Sequence, residues 1–188
     1  MAARELWIKR IAPVDPHRIV FLDETGAKTN MTRLYGRTRG GARVKDYAPH
    51  GHWNTTTLVA VVGWNGPSAP MVLDGPMDSE AFEAYVAQAL QPTLRPGMIV
   101  VMDNLSPHKT SRIVSLIEEA GAELWYLPPY SPDFNPIELM WSKVKAYLRA
   151  AKARSKEALW KATARALDTV TSEDATAWFR HCGVGIIS

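Results

Sequence analysis

The sequence predicts an α/β protein in which helices cover both faces of a mixed β-sheet. Residues 18–24 (RIVFLDE) and 55–64 (TTTLVAVVGW) are apolar runs rich in β-branched and aromatic residues, which is typical of buried strands. From Ser79 onward the pattern changes, because apolar residues recur at four-residue spacing, as on a helix. Strands and helices then alternate, and this order favours helices packed on both sides of a sheet.

The remaining elements follow from periodicity and from breaking residues. The segment 33–47 is interrupted by Gly36, Gly40 and Gly41, and we expect an exposed strand or a hairpin there. A further strand is expected at 69–73, and two short buried strands at 98–103 and 123–127. The predicted helices cover 79–90, 107–120, 137–151 and a last helical region from 155 to 178.

The composition excludes several classes of protein. The chain has 188 residues, of which 46% are hydrophobic and 22% charged, so it is not a disordered polar chain. A single cysteine, Cys182, excludes a disulfide framework and suits a reducing compartment. The longest apolar run, 58–64, is too short to span a bilayer, and the charged first ten residues do not resemble an export signal. We therefore expect one cytoplasmic domain over 1–188 without a membrane partner.

Positive charge is concentrated in two segments, although the net charge is only +3. The first, 26–45, has no acidic residue, and the second, 143–165, has a single one. The cations of the first segment are Lys28, Arg33, Arg37, Arg39, Arg43 and Lys45. Those of the second are Lys143, Lys145, Arg149, Lys152, Arg154, Lys156, Lys161 and Arg165. Such clusters are either solvated faces or a polyanion-binding surface, and two of them favour nucleic acid.

Three acidic residues occupy positions where α/β proteins gather reactive groups. Asp23 ends the first predicted strand, Asp103 ends the strand at 98–103, and Glu138 lies in the first turn of a strong helix. If the three carboxylates converge, they require cations, and Mg²⁺ or Mn²⁺ prefers such oxygen ligands. Two such ions can hold a phosphodiester between the attacking and leaving oxygens.

Each acid also has a purely structural interpretation. Asp23 and Glu24 are compatible with a strand that ends in solvent, and Asp103 with Asn104 is compatible with a turn. Glu138 is three residues after Asn135, which is the spacing of a helix capping box.

The histidines and the cysteine are weaker candidates for chemistry. His108 follows Asp103 by five residues and is either structural or orients a phosphate or carboxylate. His50 and His52 lack the second cysteine or the acid pair that zinc requires, and Cys182 is expected to be inert.

Four motifs give the chain a family resemblance. They are FLDET at 21–25, DGPMDSEAF at 74–82, VVMDNLSPHK at 100–109 and YLPPYSPDFNPIELMW at 126–141. Over about 18–183 the sequence resembles the catalytic core of bacterial insertion sequence 630 transposases. That family is related to the Tc/mariner group and belongs to the DDE superfamily. The separation of 34 residues between Asp103 and Glu138 agrees with the bacterial branch.

The resemblance implies a ribonuclease H-like fold, a mixed five-stranded sheet flanked by helices. The first three strands would be antiparallel, near 17–24, 33–47 and 55–64. It implies that Asp23, Asp103 and Glu138 are the catalytic residues and the ligands of two Mg²⁺ or Mn²⁺ ions. The supporting residues that it implies are Glu24, Asn104, His108 and Asn135. The implied activity is cleavage at transposon ends, followed by transfer of a 3′-hydroxyl into target DNA, usually at TA steps.

The two basic segments are then expected to contact DNA. The candidate residues are Lys28, Arg33, Arg37, Arg39, Arg43, Lys45, Lys109, Lys143, Lys145 and Arg149. We expect 26–45 to lie beside Asp23 and 143–165 to hold a second stretch of DNA.

One departure from the family concerns DNA recognition. Full-length relatives carry N-terminal helix-turn-helix modules, whereas about 17 residues precede the first predicted strand. We therefore expect either a separate helix-turn-helix subunit or a truncated copy, and a homodimer assembled on DNA in the bacterial nucleoid. Two alternatives stay open: a catalytically silent remnant that binds DNA or a partner subunit, and a different ribonuclease H-like nuclease.

Overall fold

A central sheet organises the protein. The computed structural model describes residues 2–41, 43–45, 47, 55–104 and 110–185. Within these residues the sheet has five strands: β1 (Ile19–Lys28), β2 (Thr55–Gly63), β3 (Gly66–Asp74), β4 (Ile99–Met102) and β5 (Glu123–Tyr126). The spatial order is β3-β2-β1-β4-β5. β1, β2 and β3 are antiparallel neighbours, whereas β4 pairs in parallel with both β1 and β5.

Helices cover both faces of this sheet. The helices in the described residues are α1 (Ala2–Ile11), α2 (Ser79–Tyr85), α3 (Ser111–Glu119), α4 (Pro136–Ala151), α5 (Lys156–Asp168) and α6 (Ser172–His181). α2 continues as a π-helical turn over Val86–Leu90 and a short 3₁₀ turn over Gln91–Thr93. No helix in the described part of the chain combines the length and apolar character needed to cross a bilayer.

Alternation along the strands divides the core into two layers. Ile19 and Phe21 of β1 pack with residues of α1, α4, α5 and α6, whereas Val20 and Leu22 pack with residues of α2 and α3. The same alternation continues in β2 and β4, as expected because successive strand residues point to opposite faces. Both layers are apolar, and this explains why the sequences of the strands are nearly continuous hydrophobic runs.

Most predicted elements are confirmed, with two differences among the helices. The helical region predicted from 155 to 178 consists of two helices, because Thr171 starts α6 with a capping box that includes Asp174. α1 was not predicted. Its Trp7 and Ile11 are buried against the sheet layer that contains α4, whereas Leu6 and Ile8 are exposed.

The strand expected at 33–47 is wrong: the described residues of this segment form no strand. Arg39–Gly41 is a 3₁₀ turn, and Gly40 has a left-handed backbone with φ of 73°. Gly36 approaches Val44 so closely that an added Cβ would lie 2.7 Å from a Val44 methyl group. The segment therefore folds back on itself without strand pairing, and the third antiparallel strand is β3, where 69–73 was predicted.

Candidate active site

The parallel register of β1 and β4 sets Asp23 and Asp103 side by side. β1 and β4 pair in parallel as Ile19 with Ile99 and Phe21 with Val101. Continuing this register by two residues sets Asp103 beside Asp23. Asp23 is four residues after Ile19, and Asp103 is four residues after Ile99. Because side chains alternate along a strand, both carboxylates face the same layer as these two residues, which is the layer that contains α4.

The third acid reaches this place from a helix. Buried residues of α4, among them Ile137, Met140 and Trp141, fix its first turn against the sheet. Glu138 lies in that turn on the exposed side, near the positive end of the helix dipole. Glu138 is thus held over the place where Asp103 follows the end of β4 and Asp23 lies within β1. Asp23 does not end its strand as predicted, because β1 continues to Lys28 through its antiparallel pairing with β2.

Asp23, Asp103 and Glu138 line one cavity of about 450 Å³. Asn104 and Asn135 also line it, and the segment after β5 forms its remaining wall. That wall comprises Leu127, Pro128, Pro129, Tyr130, Ser131 and Pro132. The cavity therefore has an acidic side on the sheet and α4, and an apolar side on the proline-rich segment 127–132.

Asp23 is the electrostatic centre of the cavity. Burial, followed by the charges of Glu138, Glu24 and Asp103, raises the pKa of Asp23 to about 8. The backbone N–H of Glu24 donates to Asp23 Oδ1 at 2.9 Å and opposes this rise. A carboxyl group in this environment binds either a proton or a cation near neutral pH.

The donor set fits a hard divalent cation. All three acids offer carboxylate oxygens, the ligands that Mg²⁺ and Mn²⁺ prefer. Among the described residues no three His, Cys, Asp or Glu side chains are already gathered tightly enough to enclose an ion. The cavity has room for ions that keep several of their waters, as Mg²⁺ does.

The structure replaces the capping-box interpretation of Glu138. The Asn135 backbone carbonyl, and not its side chain, accepts from the Glu138 N–H at 3.1 Å. Asn135 is buried, and its Oδ1 has no hydrogen-bond partner among the described residues. Glu138 is thus not held in a reciprocal cap and is available to the cavity.

The other predicted supporting residues differ in whether they line the cavity. Asn104 is exposed and lines the cavity, whereas Glu24 follows the strand alternation toward the layer of α2 and α3. Glu24 affects the site in two ways: its charge raises the pKa of Asp23, and its backbone N–H donates to Asp23 Oδ1. His108 and Lys109, like His50 and His52, lie outside the described residues.

Sequence reasoning missed Arg4, which fixes the proline-rich wall from α1. The Arg4 guanidinium donates to both carboxylate oxygens of Asp133, at 2.9 and 2.5 Å, and to Ser131 Oγ at 3.0 Å. It also lies 4.3 Å from the centroid of the Phe134 ring. This pairing lowers the pKa of Asp133. No local sequence pattern could have indicated this contact, because Arg4 and Ser131 are 127 positions apart along the chain.

The two basic segments meet in space. Arg33, Arg37 and Lys45 of the first line a second cavity, of about 470 Å³, together with Lys152 of the second. Arg154 donates to the carbonyls of Thr29 and Met31 at 2.9 and 3.0 Å and so connects the segments.

The individual cations differ in how free they are to meet an anion. Lys28, Arg33, Arg37, Arg39, Arg43 and Lys45 are all exposed. Lys143 pairs with Asp174, and Lys156 pairs with Asp74 at 2.5 Å. Lys145 and Arg149 are half-buried on α4.

Comparison with known proteins gives one family and a consistent fold. Residues 18–160, more than half of the chain, match the family model described as "DDE superfamily endonuclease". The Tcb1 transposable-element transposase of Caenorhabditis briggsae is 30% identical over 98 residues, covering 46% of this chain and 36% of that protein.

Two solved structures show the likeness over nearly the whole chain. The Mos1 transposase paired-end complex with the left transposon end superimposes with a TM-score of 0.77 at 18% identity, covering 97% of this chain and 57% of that one. The Mos1 catalytic domain with Raltegravir and Mg gives a TM-score of 0.69 at 18% identity, with 97% and 87% covered. The predicted fold class, a ribonuclease H-like mixed five-stranded sheet flanked by helices, is therefore confirmed. The chain spans about a third of the curated relative and just over half of the Mos1 chain in the DNA complex.

Proposed function

This chain is a member of the DDE superfamily endonuclease family, and from that premise we propose that it is a transposase catalytic domain of the Tc/mariner type. It cleaves DNA strands at transposon ends and transfers the resulting 3′-hydroxyl to target DNA at TA steps. The observation that carries this proposal is the convergence of Asp23, Asp103 and Glu138 on one cavity from β1, the end of β4 and α4. The spacing of the last two acids favours the bacterial insertion sequence 630 branch.

The three acids have one proposed task, which is to hold two Mg²⁺ or Mn²⁺ ions against the scissile phosphate. When bound, such ions supply an activated hydroxyl nucleophile and stabilise the leaving oxygen. Asp23, Asp103 and Glu138 would hold the ions, and a bound cation would relieve the burial and the acidic neighbours that raise the pKa of Asp23 to about 8. Asn104 lines the same cavity and would orient the DNA strand there.

The same site serves both proposed reactions. Hydrolysis and strand transfer differ only in whether water or a sugar hydroxyl attacks the phosphorus atom. Asp23, Asp103 and Glu138 would hold the ions in either case, so no residue would need to change its role. The solved structures of Mos1 with a transposon end and with Mg support this proposal by analogy.

DNA is the proposed partner of the joined basic surface. Arg33, Arg37, Lys45 and Lys152 surround the second cavity and track the phosphate backbone. We expect the double variant Arg37→Glu, Arg39→Glu to lower DNA affinity and to reduce the slope of log K against log salt by about one unit for each phosphate that it no longer neutralises. Equal affinities and slopes for variant and wild type would remove this surface from the proposal. Lys143→Ala should change affinity less, because Lys143 is already paired with Asp174.

A nicking assay tests the catalytic proposal. The wild-type protein should nick supercoiled plasmid with Mg²⁺ or Mn²⁺, and Asp103→Asn should lower the rate by at least about 100-fold. Asp78→Asn is the matched control, because Asp78 caps α2 outside the cavity and asparagine caps equally well. Nicking at the same rate by wild type and Asp103→Asn would exclude the assignment. DNA binding without nicking by the wild type would favour the catalytically silent remnant.

Three wider expectations belong to the same proposal. Residues 1–188 form one catalytic domain, a helix-turn-helix module reads the transposon ends, and two copies pair on DNA. We place this activity in the cytoplasm, at the nucleoid. Light scattering with and without end DNA measures the pairing, and a monomer in both samples would contradict it.

A further inference from the structure

Tyr130 stands fully exposed at the edge of the catalytic cavity. Its relative exposure is 100%, although it lines the same cavity as Asp23 and Asp103. Its backbone has φ of 55°, a left-handed conformation that residues with a Cβ rarely adopt. Among the described residues no aromatic ring pairs with it. A strained backbone that holds an apolar ring in solvent points to a role in binding.

The residues around Tyr130 hold it in this position. Two prolines precede it, and Ser131, which is only 4% exposed, donates from its hydroxyl to the Pro129 carbonyl at 3.2 Å. The same hydroxyl accepts from Arg4, which is also bound to Asp133. The ring is thus carried by a short loop that is fixed on both sides.

The cavity wall below the ring has little capacity for hydrogen bonding. Pro128, Pro129 and Pro132 have no backbone N–H, and the side chain of Leu127 is apolar. This wall therefore offers few backbone donors to a ligand and presents mainly apolar surface. The acidic side of the same cavity is the proposed site of the phosphate, so one ligand that carries both a phosphate and a flat ring can contact both sides of the cavity.

We propose that the Tyr130 ring stacks on an unpaired nucleobase next to the scissile phosphate. The inference rests on the proposed function, because it takes the phosphate to lie at the carboxylates. A base inside a duplex is covered on both faces by its neighbours, so the platform selects DNA with an unstacked base at the cleavage site. Stacking tolerates every base, and Tyr130 therefore favours unpaired structure without fixing its sequence.

The test compares two labelled DNA molecules by fluorescence anisotropy with Ca²⁺ present. One is a blunt duplex, and the other is the same duplex with three unpaired nucleotides at one end. We expect the wild type to bind the second about 5- to 150-fold more tightly, the range for one stacked base. Tyr130→Ala should bring this ratio close to one, and Tyr130→Phe should keep it. Tyr130→Gly is a second ring deletion that suits the left-handed backbone, and should act like Tyr130→Ala.

The controls separate this inference from the catalytic proposal. Tyr47→Ala removes another exposed ring, which lines neither cavity, and should leave the ratio unchanged. Asp103→Asn should lose nicking and keep the ratio. A ratio of one in the wild type, a ratio kept by both ring deletions, or a ratio lost in Tyr47→Ala would overturn the platform. A preserved Tyr130-dependent ratio in a protein that does not nick plasmid supports the platform and contradicts the catalytic role.

Discussion

Replacing Asp23 by asparagine should stabilise the metal-free protein above pH 5. In the folded protein the pKa of Asp23 is raised from 3.8 to about 8, first by burial and then by neighbouring acids. Between these two values the folded chain holds a proton that the unfolded chain has released. The free energy of unfolding therefore falls as the pH rises from about 4 to 8. Above pH 8 Asp23 causes no further loss. Asparagine does not titrate, and its Oδ1 still accepts the Glu24 N–H.

The size of the effect follows from the pH interval. Each pH unit inside the window costs about 1.36 kcal/mol for one proton. From pH 5 to pH 7 the wild type should lose at most about 3 kcal/mol that Asp23→Asn retains. Water in the cavity reduces this figure, since it weakens the burial that raises the pKa. For a domain of this size, each 1 kcal/mol corresponds to about 2–4 °C in Tm.

Urea unfolding in EDTA at pH 5, 6, 7 and 8 measures the difference. The free energy of unfolding of Asp23→Asn, minus that of wild type, should increase with pH and level off near pH 8. Glu118→Gln is the matched control, since Glu118 is exposed on α3 and its variant should follow the wild-type curve. Mg²⁺ at about tenfold its Kd should stabilise wild type by about 1.4 kcal/mol and the variant by less. Parallel curves for wild type and Asp23→Asn would refute the reasoning.

Three further predictions concern the layer of helices around α4. Phe179→Ala removes a fully buried ring in edge contact with Phe21, and should lower the free energy of unfolding by about 3–5 kcal/mol; a loss below about 1 kcal/mol in urea would contradict the packing. Thr171→Ala breaks the capping box with Asp174 and should cost about 1 kcal/mol, whereas Thr171→Ser should cost little. Burial raises the pKa of Cys182 to about 11, so Ellman's reagent at pH 7.5 should modify it only after unfolding, and rapid modification of the folded protein would disagree.

The sheet was largely predictable because strand and helix periods differ so clearly in this sequence. Runs such as 55–64 are apolar on both faces, and the structure buries both faces of β2. Asp23 and Asp103 were also predictable as neighbours, although Asp23 lies within β1 and not at its end, because the parallel register of β1 with β4 sets them side by side. Their catalytic role stays a prediction, and so do the DNA contacts.

The remaining features depend on contacts between residues far apart in the sequence, and sequence patterns did not predict them. α1 carries its apolar residues without a strong helical stripe, and only Trp7 and Ile11 meet the core. Arg4 has no sequence feature that distinguishes it from other surface arginines. The segment 33–47 was misjudged because glycine spacing indicates bends but does not say whether a strand pairs between them. Tyr130 acquires its significance from a backbone angle that no side-chain pattern encodes.

The parallel pairing of β1 with β4 has a consequence for how such a protein loses activity. Side chains alternate between the two faces, so a deletion of one residue inside β4 would turn Asp103 toward α2 and α3. Its composition would hardly change, yet the acid would be separated from its partners by the thickness of the sheet. If the three acids act together as proposed, the in-frame loss of one codon within β4 would abolish the proposed activity although all three acids are retained.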